Sequence, residues 1–232
     1  MVNEYKRILK NYRTYYLLAI IILGEIFNIS MNINDYTSPI ELYYMILGFF
    51  YQKGLVILVY LLLIGMVMDL FNKNIVLLRY KNINLWVKDY FFNSLLVAAL
   101  LVIAINIIPL ACIAFIGTLN FGQVIVFVMY IINEFATFVI LSFVYVSVFR
   151  LINNKTATFL LVFMLIYIPK FISDVLRRGY TTLVDFMFLN YNTTIRDMLI
   201  KTNIMIVIAG IVLFLVYAEG TNKKQQDIIW SE

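Results

Sequence analysis

An all-α membrane protein with six transmembrane helices is the fold that the sequence predicts. Of the 232 residues, 63% are hydrophobic and 13% are charged, whereas soluble domains have about 45–50% apolar and about 25% charged residues. The apolar residues fall into six runs, and a helix needs roughly 20 such residues to cross a bilayer. We therefore expect a single transmembrane domain that spans residues 1–232.

An amphipathic helix is predicted ahead of the first apolar run, over residues 1–13. Its apolar positions are Tyr5, Ile8, Leu9 and Tyr12, and its basic positions are Lys6, Arg7, Lys10 and Arg13. The apolar positions follow helical spacing, and the basic ones lie mostly on the other side, so the helix suits the headgroup region of the inner leaflet. It serves either as a topology anchor or as a docking helix for a cytoplasmic partner.

The six predicted transmembrane helices cover residues 15–31, 44–69, 90–116, 124–149, 157–172 and 203–218. The second run is long and contains Lys53, so either that helix is tilted or its first part, residues 41–51, lies at the outer surface. Pro109 cannot donate a backbone hydrogen bond and is expected to kink the third helix. The outer loop, residues 170–201, is predicted to form short amphipathic helices before the sixth helix.

The distribution of Lys and Arg predicts that both termini are cytoplasmic. Twelve basic residues fall in the N-terminal segment, the second and fourth loops and the C-terminal tail, against five in the last outer loop. Basic residues accumulate on the cytoplasmic side of membrane proteins. The longest inner loop, residues 70–89, is both apolar and basic, which is typical of a segment that packs under the membrane or against a partner protein.

The residue inventory excludes several classes of function. The chain has no histidine and one cysteine, Cys112, so His-based catalysis, common zinc sites and disulfides are absent. No segment matches the phosphate-binding pattern GxxxxGK[ST], so the chain does not bind ATP by that route. The basic residues are not interleaved with aromatics as on a nucleic-acid-binding face. We expect no enzyme, no cofactor in this chain and no nucleic-acid partner.

Three charged residues fall within the apolar runs: Glu25, Lys53 and Glu134. An ionisable group inside a bilayer costs at least a few kcal/mol, so it must find a partner or water. Glu25 and Lys53 fall at similar depth on antiparallel helices, which predicts an ion pair. Glu134 is expected to face the bundle interior or a substrate path, with Asn106 as a hydrogen-bonding neighbour. A purely structural role fits these residues equally well.

The order of these segments resembles the ABC-2-type permeases, the membrane subunits of ABC exporters. A basic amphipathic N-terminus precedes the first helix, and the stretch IVLLRYKNINLWVKDYFFNSLLVAALLVIAINIIP leads from the polar inner loop into the third helix. The resemblance is to small six-helix permeases of bacterial peptide, bacteriocin and lantibiotic export or immunity systems, such as exporters of phenol-soluble modulins. The resemblance covers nearly the whole chain, and it lies in the order and type of the segments.

This resemblance implies a location in the bacterial cell membrane and two protein partners. A separate ATP-binding cassette subunit would dock under residues 1–13 and 72–88, and a second permease subunit, identical or related, would pair with this one. The candidate docking residues are Tyr5, Arg7, Arg79, Tyr80, Lys81, Trp86 and Lys88. The subunit would move an amphipathic peptide or a hydrophobic substrate outward.

Other classes remain open from the residues. A substrate-binding membrane subunit of an ECF-type vitamin importer is also small and helical, and Ser94 and Ala98 form a short small-residue motif of the kind used for helix contacts. A non-transport immunity protein that sequesters a peptide is a third class. An intramembrane enzyme is the least supported, because no Ser–Lys dyad or paired Asp is evident.

Overall fold

The computed structural model describes residues 12–32, 41–43, 54–71, 83–116, 121–175 and 194–221. Within these ranges the chain is helical and no residue is in a strand. The helices are α1 (Tyr12–Asn32), α2 (Leu55–Phe71), α3 (Ile83–Ile116), α4 (Phe121–Ile152), α5 (Lys155–Val175) and α6 (Ile195–Thr221). The predicted all-α class is confirmed.

Four of these helices are long and apolar enough to cross a membrane, namely α3, α4, α5 and α6, with mean hydropathy between 1.6 and 2.8. The chain is therefore a membrane-embedded helical protein. α2 is apolar but has 17 residues, which gives a length of about 25 Å at 1.5 Å per residue. That α1 and α2 also cross the membrane, which would make six spans, therefore remains a prediction. The predicted N-terminal amphipathic helix lies almost wholly outside the described residues, as does most of the outer loop.

α3 and α4 form the centre of the bundle. α4 packs against α3, α5 and α6, and α3 packs against α1, α2 and α6 as well as α4. In the most apolar stretch of each helix, 67% of α4 but only 17% of α5 is buried. Apolar side chains cover the outer faces of α5 and α6, where lipid replaces water as the solvent.

Short capping motifs set helix limits that the apolar runs did not reveal. Thr194 accepts a hydrogen bond from the Asp197 backbone N–H at 3.2 Å and donates to its carboxylate at 2.8 Å, so α6 begins well before the predicted residue 203. α4 and α5 are joined by Asn153, whose φ is +52°, and by Asn154, whose side-chain oxygen accepts from the Ala157 N–H at 3.1 Å. Asparagine tolerates this left-handed conformation better than most residues.

Trp86 connects three helix ends at one end of the bundle. Its indole N–H donates to the Phe71 carbonyl of α2 at 3.3 Å. Its ring stacks on Tyr90 of α3 with 5.8 Å between centroids and lies 6.4 Å from that of Phe149 in α4. α3 begins at Ile83, before the predicted residue 90, and the aromatic cluster packs its first two turns against the ends of α2 and α4. Pro109 lies within α3, which continues to Ile116.

Gly54 marks the start of α2 and corrects the second predicted helix. Its φ is +74°, a left-handed conformation, and its carbonyl accepts from the Leu58 N–H at 2.9 Å. A single tilted helix over residues 44–69 is therefore wrong. Residues 41–43 are helical, and Tyr43 is fully buried, with its ring 5.0 Å from that of Phe127 in α4. Residues 44–53 lie outside the described residues.

Replacing Gly54 with alanine is expected to destabilise the bundle. The new Cβ would lie 2.5 Å from the Tyr167 ring, and the left-handed conformation alone costs an L-residue about 1–2 kcal/mol. A loss of that size lowers the melting temperature of a chain of this length by roughly 2–8 °C. Gly210→Ala in α6 is the matched control, because a Cβ there meets nothing within 4 Å. Equal melting temperatures of both variants in detergent would contradict this assignment.

Candidate functional site

A hydrogen-bonded polar cluster lies in the interior of the apolar bundle. The Asn106 side-chain N–H₂ donates to Glu134 Oε2 at 2.6 Å and to the Val102 carbonyl at 2.9 Å. Its side-chain oxygen accepts a hydrogen bond from the Tyr43 hydroxyl. Asn106 thus uses both donor hydrogens and its acceptor oxygen. The contact expected between Asn106 and Glu134 is present, and it joins α3 to α4.

Glu25 of α1 lies beside this cluster. It is completely buried, and it is close enough to Glu134 for the two carboxyl groups to interact electrostatically. Neither carboxyl oxygen of Glu25 has a hydrogen-bonding partner in the described part of the chain. Its predicted partner, Lys53, lies outside the described residues, so that ion pair remains a prediction. Glu134 instead lies within electrostatic range of Glu25, and the sequence alone did not predict this neighbour.

A second polar layer lies nearer the end of the bundle that holds Trp86. The hydroxyls of Ser142 and Tyr60 of α2 share a hydrogen bond, and each also lies within donating distance of the Phe138 carbonyl, at 2.8 Å and 3.1 Å. Tyr90 of α3 donates to the Ile64 carbonyl of α2 at 3.3 Å. Sequence reasoning missed this layer because it followed charged residues. The available signal was tyrosine and serine within the apolar runs.

A groove of about 510 Å³ opens between α1, α2 and α5. Its walls are apolar, and its rim carries charged side chains from three helices. Lys155 of α5 and Asp69 of α2 form an ion pair at 2.5 Å, in which both side chains are about half exposed. The walls include Leu17, Leu61, Leu62, Met66 and Phe159, the floor includes Gly65 and Tyr145, and the rim includes Arg13, Asp69 and Lys155.

Gly65 controls the depth of this groove. A Cβ at this position would lie 3.3 Å from the Tyr145 hydroxyl and 3.8 Å from Lys155 Cδ. The absence of a side chain therefore leaves the space between α2, α4 and α5 open. The Tyr145 hydroxyl is buried behind the floor and has no hydrogen-bonding partner among the described residues.

Two of the predicted docking residues are described, and both make contacts within the chain. Trp86 is buried in the aromatic cluster. The Lys88 ammonium lies 5.0 Å from the ring centroid of Tyr217 in α6, within range of a cation–π interaction. Tyr5, Arg7, Arg79, Tyr80 and Lys81 lie outside the described residues. The docking role of all seven stays a prediction.

These features define a helical integral membrane protein with a hydrogen-bonded polar interior and a lateral apolar groove. Within the described ranges, no three His, Cys, Asp or Glu side chains are close enough together to hold a metal ion. No protein-family model, curated protein or solved structure matches the chain. The groove and the polar cluster are therefore the features from which a function can be inferred.

Replacing Asn106 with leucine is expected to destabilise the protein by about 1–3 kcal/mol, because Glu134 and Tyr43 each lose a buried hydrogen-bonding partner. Asn203→Leu in α6 is the matched control, since Asn203 is exposed on the outer surface of the bundle. Thermal unfolding in detergent measures both. A melting temperature for Asn106→Leu at or above that of the wild type would show that the cluster does not hold α3 and α4 together.

Proposed function

We propose that the chain is a permease subunit of an ABC exporter, which moves an amphipathic peptide or hydrophobic substrate outward and is driven by a separate ATPase subunit. The observation that carries this proposal is the groove between α1, α2 and α5. Its volume of about 510 Å³ falls within the range of about 300–1,000 Å³ that is typical of ligand sites.

The chemistry of the groove suits an amphipathic molecule. The apolar walls would accept apolar side chains or an acyl chain, and the charged rim formed by Arg13, Asp69 and Lys155 would face the polar part of the same molecule. Burial of apolar groups contributes about 25 cal/mol per Å², so the walls would supply most of the affinity. The exposed Asp69–Lys155 pair contributes little to stability, which leaves these charges available for rearrangement.

The position of the groove fits loading from the cytoplasmic side. Its rim residues Asp69 and Lys155 stand at the end of the bundle that holds Trp86 and the start of α3. The charge distribution predicts that this end is cytoplasmic. The groove would then open to the inner leaflet, close to the predicted docking segment, residues 72–88.

The groove can change shape when its helices move. α5 has little buried surface in its most apolar stretch and packs against α4 and α2, while α1 forms the opposite wall. Closure of the ATPase subunits would shift these helices and alter the affinity for substrate. Transport then needs only different binding in two conformations. Exposed apolar residues on the outer faces of α1 and α5, such as Ile20 and Leu165, would serve a second permease subunit.

The described residues weigh against the importer alternative. Ser94 and Ala98 would have to face a coupling subunit, yet both are completely buried within the chain. Sequestration of a peptide by an immunity protein would use the same groove. It differs from export in needing no ATPase, and the second experiment below separates the two.

Filling the groove is expected to abolish substrate binding. Gly65→Phe places a ring against Tyr145 and Lys155, which would lie 3.3 Å and 3.8 Å from the new Cβ. The affinity for a fluorescent cationic amphipathic peptide should then fall at least about tenfold, or about 1.4 kcal/mol. Gly210→Phe adds the same ring to open space on α6 and should leave the affinity unchanged. Binding is measured by fluorescence anisotropy with purified protein in detergent. Equal affinity of Gly65→Phe and wild type would exclude the groove as the binding site.

Alanine substitution of Arg79, Tyr80 and Lys81 together is expected to abolish association with an ATPase without preventing membrane insertion. The same change at Arg177 and Arg178, which are predicted to lie on the outer side, is the control. Affinity purification from native membranes, followed by mass spectrometry, detects any partner with a nucleotide-binding domain. Undiminished association of the triple variant would refute the docking segment. Peptide binding with no ATPase recovered from wild type would favour sequestration.

A further inference from the structure

Glu25 lies where a carboxylate would have no hydrogen-bond donor among the described residues. It is completely buried on α1, and both of its oxygens lack a hydrogen-bond donor in the described part of the chain. A buried carboxylate without a donor or counter-charge is much less stable than the neutral acid. Glu25 therefore has the surroundings of a protonated group.

The ionisable groups around Glu25 are themselves acidic or neutral. Glu134 of α4 lies within electrostatic range of Glu25. Tyr43 and Cys112 also lie within electrostatic range of Glu25, and Tyr130 lies within range of Tyr43. None of these side chains supplies a positive charge. Lys53 stands in the segment outside the described residues, and the experiment below tests it directly.

The two carboxyl groups differ in their hydrogen bonding. Glu134 Oε2 accepts a hydrogen bond from the Asn106 side chain at 2.6 Å, and the other Asn106 hydrogen goes to the Val102 carbonyl. A donor stabilises the carboxylate form of its acceptor. Two like charges within electrostatic range repel each other strongly in a medium of low dielectric constant, so the doubly ionised pair is much less stable than the pair that holds one proton. The proton therefore belongs on Glu25, and the negative charge belongs on Glu134.

We propose that Glu25 and Glu134 form a proton-binding site inside the bundle, at which Glu25 carries the exchangeable proton and Asn106 orients Glu134. Binding converts the Glu25 carboxylate and one proton into the neutral acid, which has an O–H group to donate. Release returns the proton to water and leaves two carboxylates within electrostatic range of each other. This site is distinct from the groove, and the inference does not rest on the proposed transport function.

Proton release would act on the position of α1. With both groups charged, repulsion would push α1 away from Glu134, whereas the protonated pair would let α1 keep its packing against α3. The same helix forms one wall of the groove through Tyr16 and Leu17. The proton site and the groove are thereby coupled through one rigid element.

Infrared difference spectroscopy of purified protein in detergent tests the site directly. At pH 7 the wild type should show the carbonyl stretch of a protonated carboxyl group, and labelling the glutamates with a heavy carbon isotope should shift that band. The band should disappear as the pH is raised. It should be lost in Glu25→Gln, an isosteric change that mimics the protonated acid, and retained in Asp69→Asn, which removes an exposed carboxylate.

Any one of the following results would overturn the proposal. If the wild type at pH 7 shows no band, the pair is ionised, and if the isotope does not shift the band, a group other than glutamate carries the proton. Both results come from the wild-type protein alone and do not depend on the folding of a variant. A band that appears only in Lys53→Met would mean that Lys53 neutralises Glu25 as an ion pair. A band that disappears at constant pH when sodium ions are added would make this a metal-cation site. Retention of the band after Glu25→Gln would show that a carboxyl group other than Glu25 carries the proton.

Discussion

The hydrogen bond between Asn106 of α3 and Glu134 of α4 joins the two helices against which the other described helices pack. Lipid offers no hydrogen bonds, so a polar group in the bilayer must find its partner inside the protein. Apolar contact between helices is weakly specific in lipid, because the lipid tails are as apolar as the helix surfaces. Polar contacts at defined positions, here Asn106, Tyr60 and Ser142, therefore determine which helix faces meet.

The bundle separates two kinds of interior. Around Tyr43 and Glu134 the interior is closed, and Asn106 links the polar groups, while Glu25 stands beside them without a hydrogen-bond donor among the described residues. Between α1, α2 and α5 the interior opens into a groove with charges only at its rim. The first arrangement suits a small ion, and the second suits a larger apolar molecule. α1 contributes to both, so a movement of this one helix changes both environments.

The helices were predictable because a bilayer demands apolar runs of a minimum length, and the runs containing α3, α4, α5 and α6 meet that demand. The ends of the helices were less predictable, because they are set by the backbone conformation of Gly54 and Asn153 and by the Thr194 cap, which hydropathy does not detect. Asn106 and Glu134 were identifiable because polar residues are conspicuous in an apolar run. The groove was not, because helices that are apolar all round carry no periodic signal to show which faces meet.

The two-residue link between α4 and α5 also constrains how the chain is assembled in the membrane. With only Asn153 and Asn154 between them, the two helices form a closed hairpin, so neither can be threaded through the bilayer independently of the other. α5 packs mainly against α4 and also against α2, which lies about a hundred residues earlier in the chain. The contact between α2 and α5 therefore joins segments that leave the ribosome at different times, whereas the contact between α4 and α5 joins immediate neighbours in the chain.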